Sequence, residues 1–145
     1  MAIATFNLAD IDGLNGFKVD GASVFDNLGQ SVTILGDFNN DGLDDIAMAA
    51  PEADPDARGR AGEAYILFTA GDPGNLGSLD GAGLIRIDGV ASTDLLGRYN
   101  TQISGAGDFN GDGVDDLIVG SIFANGGDIF DSGEAYVIFG GDGIL

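Results

Sequence analysis

Apolar residues in this chain come in short runs, each ended by Gly, Asp or Asn. The runs IAMAA, AYILF, DLIVG and AYVIF are almost unbroken. Runs of that length fit strands covered on both faces, as in packed sheets. No segment shows a long helical period with capping residues at its ends. The pattern predicts eight strands: 17–20, 30–35, 45–50, 64–69, 84–88, 99–104, 116–121 and 135–140. The predicted fold class is all-β.

One unit, used twice, accounts for nearly the whole chain. Residues 7–29 align with 75–97 at an offset of 68, which sets NLADIDGLNGFKVDG over NLGSLDGAGLIRIDG. From Asp37 onward the offset is 71, with DDIAMAA over DDLIVGS and GEAYILF over GEAYVIF. The three extra residues of the second copy enter between Gly97 and Asp108, where a bulge or a longer turn is expected. Each copy carries four predicted strands, and repeats of that size suit propeller blades. The repeats divide the chain into 1–74 and 75–145.

Within each unit lies a nine-residue pattern, DFNNDGLDD at 37–45 and DFNGDGVDD at 108–116. Oxygen-bearing side chains fall at positions one (Asp37, Asp108), three (Asn39, Asn110), five (Asp41, Asp112) and nine (Asp45, Asp116). Position seven (Leu43, Val114) is expected to offer a backbone carbonyl. Such a set suits calcium, which takes six to eight oxygens at about 2.3–2.6 Å. Gly42 and Gly113 stand at position six, where the loop must turn sharply. Two calcium ions per chain are therefore expected. Without them the carboxylates of one loop repel, by about 1 kcal/mol per pair at 4 Å in water and more when desolvated. An ion held only by the folded loop stabilises the fold.

Competing readings of the pattern are weaker. A helix–loop–helix calcium site needs a bidentate Glu at position twelve, and Met48 and Val119 stand there. A nonapeptide β-roll needs tandem glycine-rich copies, and only GGDG near the C-terminal end resembles one. Asp and Asn also fill metal-free turns, but duplication at fixed spacing favours metal. Asp44 and Asp115, at position eight, are expected to face solvent or a backbone amide. Tyr65, Phe68, Tyr136 and Phe139 are expected to pack in the core or between blades. Arg58 and Arg60 lie in PEADPDARGR, read as a solvated loop. That loop and its counterpart at 122–132 are the expected contact surface for a ligand.

Composition narrows the function classes. Formal net charge is -19, from 24 acidic and 5 basic residues, so no basic footprint exists for nucleic acid or an anionic membrane. Two calcium ions would bring -19 to -15. With no Cys and no His, thiol redox chemistry, thiolate metal sites and His-based catalysis are excluded. The 26 glycines far exceed the usual share of about 7% and mark many tight turns. MAIATFNLAD lacks the basic start and apolar run of a signal peptide, and no apolar stretch approaches the roughly 18 residues of a membrane span.

Taken together, these residues resemble the FG-GAP repeat, the blade of the integrin alpha-subunit β-propeller and its bacterial relatives. Leu28-Gly29 and Leu96-Gly97 occupy the FG position, with Leu in place of Phe. Ala49-Ala50-Pro51 occupies the GAP position, and Gly120-Ser121-Ile122 stands there in the second copy without the proline. Both acidic loops match the family's calcium loop. The resemblance covers roughly residues 15–141 and implies a non-enzymatic binding or adhesion scaffold, stiffened by calcium, at the cell surface or outside the cell. An extracellular protein or glycan is the implied ligand. The alternatives are the propeller part of a secreted hydrolase and a purely structural repeat.

Two blades fall short of the roughly 4–8 that close a propeller. In the family reading, residues 17–20 are the outer strand of a blade whose other strands lie elsewhere, and the last strand set lacks its own outer strand. A head-to-tail ring of identical chains fills both gaps; three chains give six blades and four give eight. The rival expectation is a piece of a longer propeller, poorly closed as a monomer.

Overall fold

The computed structural model describes residues 5–69, 79, 83–99, 102–127 and 129–141. Among these residues seven strands form: β1 (Ser31–Gly36), β2 (Asp45–Ala50), β3 (Glu63–Leu67), β4 (Leu84–Asp88), β5 (Ile103–Gly107), β6 (Asp116–Ser121) and β7 (Glu134–Ile138). The first four make one antiparallel sheet in the order β1-β2-β3-β4, and the last three make another in the order β5-β6-β7. Single 3₁₀ turns occur at Leu8–Asp10 and Pro55–Ala57, and no α-helix is present among the described residues.

Strand alternation gives each sheet two faces. On one face of the first sheet, Leu35, Ala47, Ala49, Ala64 and Ile66 pack against Ile103, Leu117 and Val119 of the second. Three alanines at the centre of that face let the sheets approach closely, with Phe38 and Phe68 filling the end of the layer. Burying an Ile or Phe in such a layer stabilises by about 1.5–3 kcal/mol. The opposite face of the first sheet presents Met48, Tyr65 and Leu67, and is covered by Phe17, Val19 and Leu28.

Two predicted strands require correction. Residues 17–20 do not form a named strand; Phe17 and Val19 lie instead across the Met48–Tyr65–Leu67 face. The strand predicted at 99–104 begins only at Ile103 and runs to Gly107. Gly29 N–H donates to the Ala49 carbonyl at 3.0 Å and Gly97 N–H to the Gly120 carbonyl at 2.9 Å, so the repeats are still in step there. The extra residues thus enter after Gly97 and lengthen the turn into β5. A bulge is also present, between Gly105 and Gly107, but the first repeat has the same shift between Ile34 and Gly36. The bulge belongs to the unit and not to the insertion. The repeat boundary at 74/75 lies outside the described residues.

Candidate functional site

Each acidic loop joins the first two strands of its sheet, β1 to β2 and β5 to β6. Asp37 Oδ1 accepts from Asp41 N–H at 2.9 Å and its Oδ2 from Gly42 N–H at 2.9 Å. Asp108 makes the same pair with Asp112 N–H at 2.9 Å and Gly113 N–H at 3.0 Å. Asn39 Oδ1 accepts from Asp41 N–H at 3.0 Å, and Asn110 Oδ1 from Asp112 N–H at 2.9 Å. Asp41 Oδ1 and Asp112 Oδ1 accept from the N–H groups of Leu43 and Val114, both at 2.9 Å. Gly42 and Gly113 take φ of 88° and 92°, left-handed values that glycine adopts without steric cost. Positions one, three and five are thereby drawn around one turn by successive Asx bonds.

Position nine does something different. Asp45 and Asp116 are fully buried at the start of β2 and β6. Asp45 Oδ2 accepts from Phe38 N–H at 3.1 Å and Oδ1 from Thr69 N–H at 3.2 Å. Asp116 repeats this with Phe109 N–H at 2.8 Å and Gly140 N–H at 2.9 Å. Each carboxylate therefore fastens its loop to the end of the third strand. Burial pushes the Asp45 carboxyl above its usual range, against backbone bonds from Thr69, Phe38 and Asn39 that lower it.

Among the described residues, no three His, Cys, Asp or Glu side chains converge as a cation cage. The donor chemistry nonetheless fits a hard cation: three carboxylates and one amide oxygen in each loop. A carboxylate oxygen that accepts one N–H keeps a second acceptor site. Asp37 Oδ1 and Oδ2 each accept a single N–H and keep that second site, whereas Asp108 Oδ1 accepts from both Gly111 and Asp112 N–H at 2.7 and 2.9 Å, and Asp116 Oδ2 from both Phe109 and Asn110 N–H at 2.8 and 3.3 Å.

One residue given no special role by the sequence joins the repeats. Asp115 Oδ2 accepts from Asp37 N–H at 3.0 Å, and Gly141 N–H donates to the Phe38 carbonyl at 2.8 Å. The first loop is thus tied to the second repeat at its position one, Asp37. The acid at position eight in both copies was the available signal, but only the partner surface tells Asp115 from Asp44. In the predicted contact loop, Arg60 Nε pairs with Glu52 at 2.5 Å and Arg58 with Asp88 at 3.3 Å. The bond to Arg60 holds the Glu52 carboxyl below its usual range. Arg60 is engaged within its own repeat, and Arg58 reaches β4, the strand that the second repeat adds to the first sheet.

No helix among the described residues is long and apolar enough to cross a membrane. The family model for the FG-GAP repeat matches twice, at residues 28–67 and 100–138. The chain is 29% identical to integrin alpha-8 of Gallus gallus over 127 residues, 84% of this chain and 11% of that protein. It is 31% identical to integrin alpha-IIb of Homo sapiens over 113 residues, 78% of this chain and 10% of that protein. Phosphatidylinositol-glycan-specific phospholipase D of Bos taurus is 33% identical over 114 residues, 79% of this chain and 12% of that protein. The chain thus spans only a small part of the length of these relatives. With two antiparallel blade sheets, each carrying the same hydrogen-bonded acidic loop, this chain belongs to the FG-GAP repeat family of β-propeller blades.

Proposed function

We propose that this chain is a calcium-stabilised β-propeller module acting as a non-enzymatic binding scaffold, at the cell surface or outside the cell. The observation that carries the reading is the repetition of one hydrogen-bond pattern in both loops. Asp37, Asn39, Asp41 and Asp45, with the Leu43 carbonyl, would hold one ion. Asp108, Asn110, Asp112 and Asp116, with the Val114 carbonyl, would hold the other. Calcium supplies positive charge that offsets carboxylate repulsion within a turn whose shape is already set. The loops at 51–60 and 122–132 are the proposed contact surface for a protein or glycan. Self-association into a ring of three or four chains would complete the propeller. Similarity to proteins named as integrin alpha subunits supports the scaffold role.

The test is calorimetric titration of the chelator-treated protein with calcium. Uptake of two ions per chain, falling to one in Asp112→Ala, is the expected result. No uptake at millimolar calcium would refute the metal reading. A second reading, the propeller part of a hydrolase, draws support from the phospholipase D similarity. A hydrolase screen with phosphodiester and glycoside substrates separates the two, since a scaffold shows no turnover.

A further inference from the structure

We infer that the outer face and free edge of the second blade receive residues 16–28 of a second copy of this chain, head to tail. This deepens the propeller reading and rests on it.

The two blades differ in what covers them. β3 is paired on both sides, by β2 and β4, whereas among the described residues β7 has a partner only in β6. Ile66 and Phe68 are 0% and 4% exposed, while their counterparts Val137 and Phe139 are 37% and 48% exposed. Phe38 is 0% exposed and its counterpart Phe109 67%. An apolar face of this breadth is what soluble proteins cover with a partner.

The N-terminal segment carries the matching shape. Ile85, Ile87 and Leu96 pack beside Val119, Tyr136 and Ile138 in the layer between the blades. Phe17, Val19 and Leu28 lie at the corresponding repeat positions, and they pack on Met48, Tyr65 and Leu67. The segment therefore already stands where the fourth strand of a preceding blade would stand. Its turn has the docked conformation too. Thr93 and Leu95 have φ of 72° and 57°, and their N–H groups bond the Gly59 and Arg60 carbonyls at 2.9 and 3.2 Å. Phe25 and Asn27 have φ of 71° and 59°. The left-handed region is uncommon for residues other than glycine, and it is adopted here by a turn whose counterpart is held by the neighbouring loop. Phe25 and Phe130, both exposed, occupy the positions equivalent to Thr93 and Gly59.

Register and charge identify the occupant. In the complete blade Glu63 pairs with Asp88, Ala64 with Ile87 and Tyr65 with Arg86. At the repeat offsets these become Glu134 with Asp20, Ala135 with Val19 and Tyr136 with Lys18. Arg86 Nη1 lies 3.8 Å from Glu63 Oε1, and Lys18 would meet Glu134 in the same way. A second copy thus supplies strand, turn and cation together.

The chain has no cysteine, which makes a mixing test clean. Asp20→Cys and Glu134→Cys, mixed in calcium under mild oxidation, are expected to give a disulfide-linked heterodimer. Crosslinking in the mixture no faster than in either variant alone would overturn the pairing. Light scattering is expected to give the mass of three or four chains, reduced to one chain in Val137→Asp and Phe25→Asp with the circular dichroism spectrum kept. A single-chain mass in the unsubstituted protein would overturn the inference. Calcium uptake is read separately on the same samples. Uptake without crosslinking defeats only the pairing, and crosslinking without uptake defeats only the metal reading.

Discussion

Phe38 and Phe109 stand at the same place in their repeats and in opposite surroundings. The first is enclosed between the sheets, and the second lies on the outer face of the second sheet. The local sequence is nearly the same; what differs is whether another blade lies beyond. A blade is therefore a unit whose loop and strands are set locally and whose burial is set by its neighbour. Repeat architectures behave this way because each unit contacts mainly the adjacent one.

Truncating the two phenylalanines tests this most strongly. Phe38→Ala is expected to cost about 3–5 kcal/mol in urea unfolding. Phe109→Ala, measured at chain concentrations too low for association, is expected to stay within about 0.5 kcal/mol. Equal losses would mean that the second face is covered within one chain.

Gly36 and Gly107 form the next pair. Both have positive φ, 85° and 63°. A Cβ on Gly36 would collide with the Asp115 carboxylate, whereas one on Gly107 meets nothing within 4 Å. Each Gly→Ala carries the left-handed cost of about 1–2 kcal/mol. Gly36→Ala should add the loss of the Asp37–Asp115 bond, about 1–3 kcal/mol for a group left unpaired. Urea midpoints that move equally would remove Asp115 from its bridging role.

Position eight sharpens the same point. Asp115→Ala is expected to lower stability by about 1–3 kcal/mol, through the lost bond to Asp37 N–H. Asp44→Ala is expected to stay within about 0.5 kcal/mol, as for an ordinary surface change. Hydrogen exchange should show the difference directly, with Asp37 N–H losing protection only in the first variant.

The smallest effect is in alkaline titration. The Tyr136 hydroxyl donates to Glu134, and that bond, with lesser help from burial, raises its pKa from 10.0 to about 12. Tyr65 donates to Glu63 in the same way, but burial is the larger cause and the rise is greater. A folded pKa above the unfolded value contributes stability that is complete below about 10 and fades as pH rises through the folded value. Tyr136 should therefore ionise before Tyr65 in an ultraviolet titration, read by comparison with Tyr136→Phe. The opposite order would contradict the difference in cover between the two blades.

Much of this was legible in the sequence. β2, β4 and β6 fall on the predicted residues because their apolar runs start at a loop acid or after a glycine. β3 and β7 end at Leu67 and Ile138, two residues before their predicted ends. The N–H groups of Thr69 and Gly140, at those predicted ends, are taken by Asp45 and Asp116, a long-range bond that no local pattern reveals. The segment 17–20 reads as a strand, yet strand formation needs a partner edge, which side-chain alternation does not supply. The turn made by positions one, three and five was legible in local spacing, because their bonds span five residues or fewer. Asp115 was not, because its partner lies 78 residues away.

The most direct test is thermal unfolding of the same protein in calcium and in excess chelator. Binding confined to the folded loops stabilises by about 2.7 kcal/mol per site at a hundredfold excess over Kd. The expected result is a melting temperature that climbs with calcium concentration and falls back when chelator is added. Superimposable melts from micromolar to millimolar calcium would contradict the account.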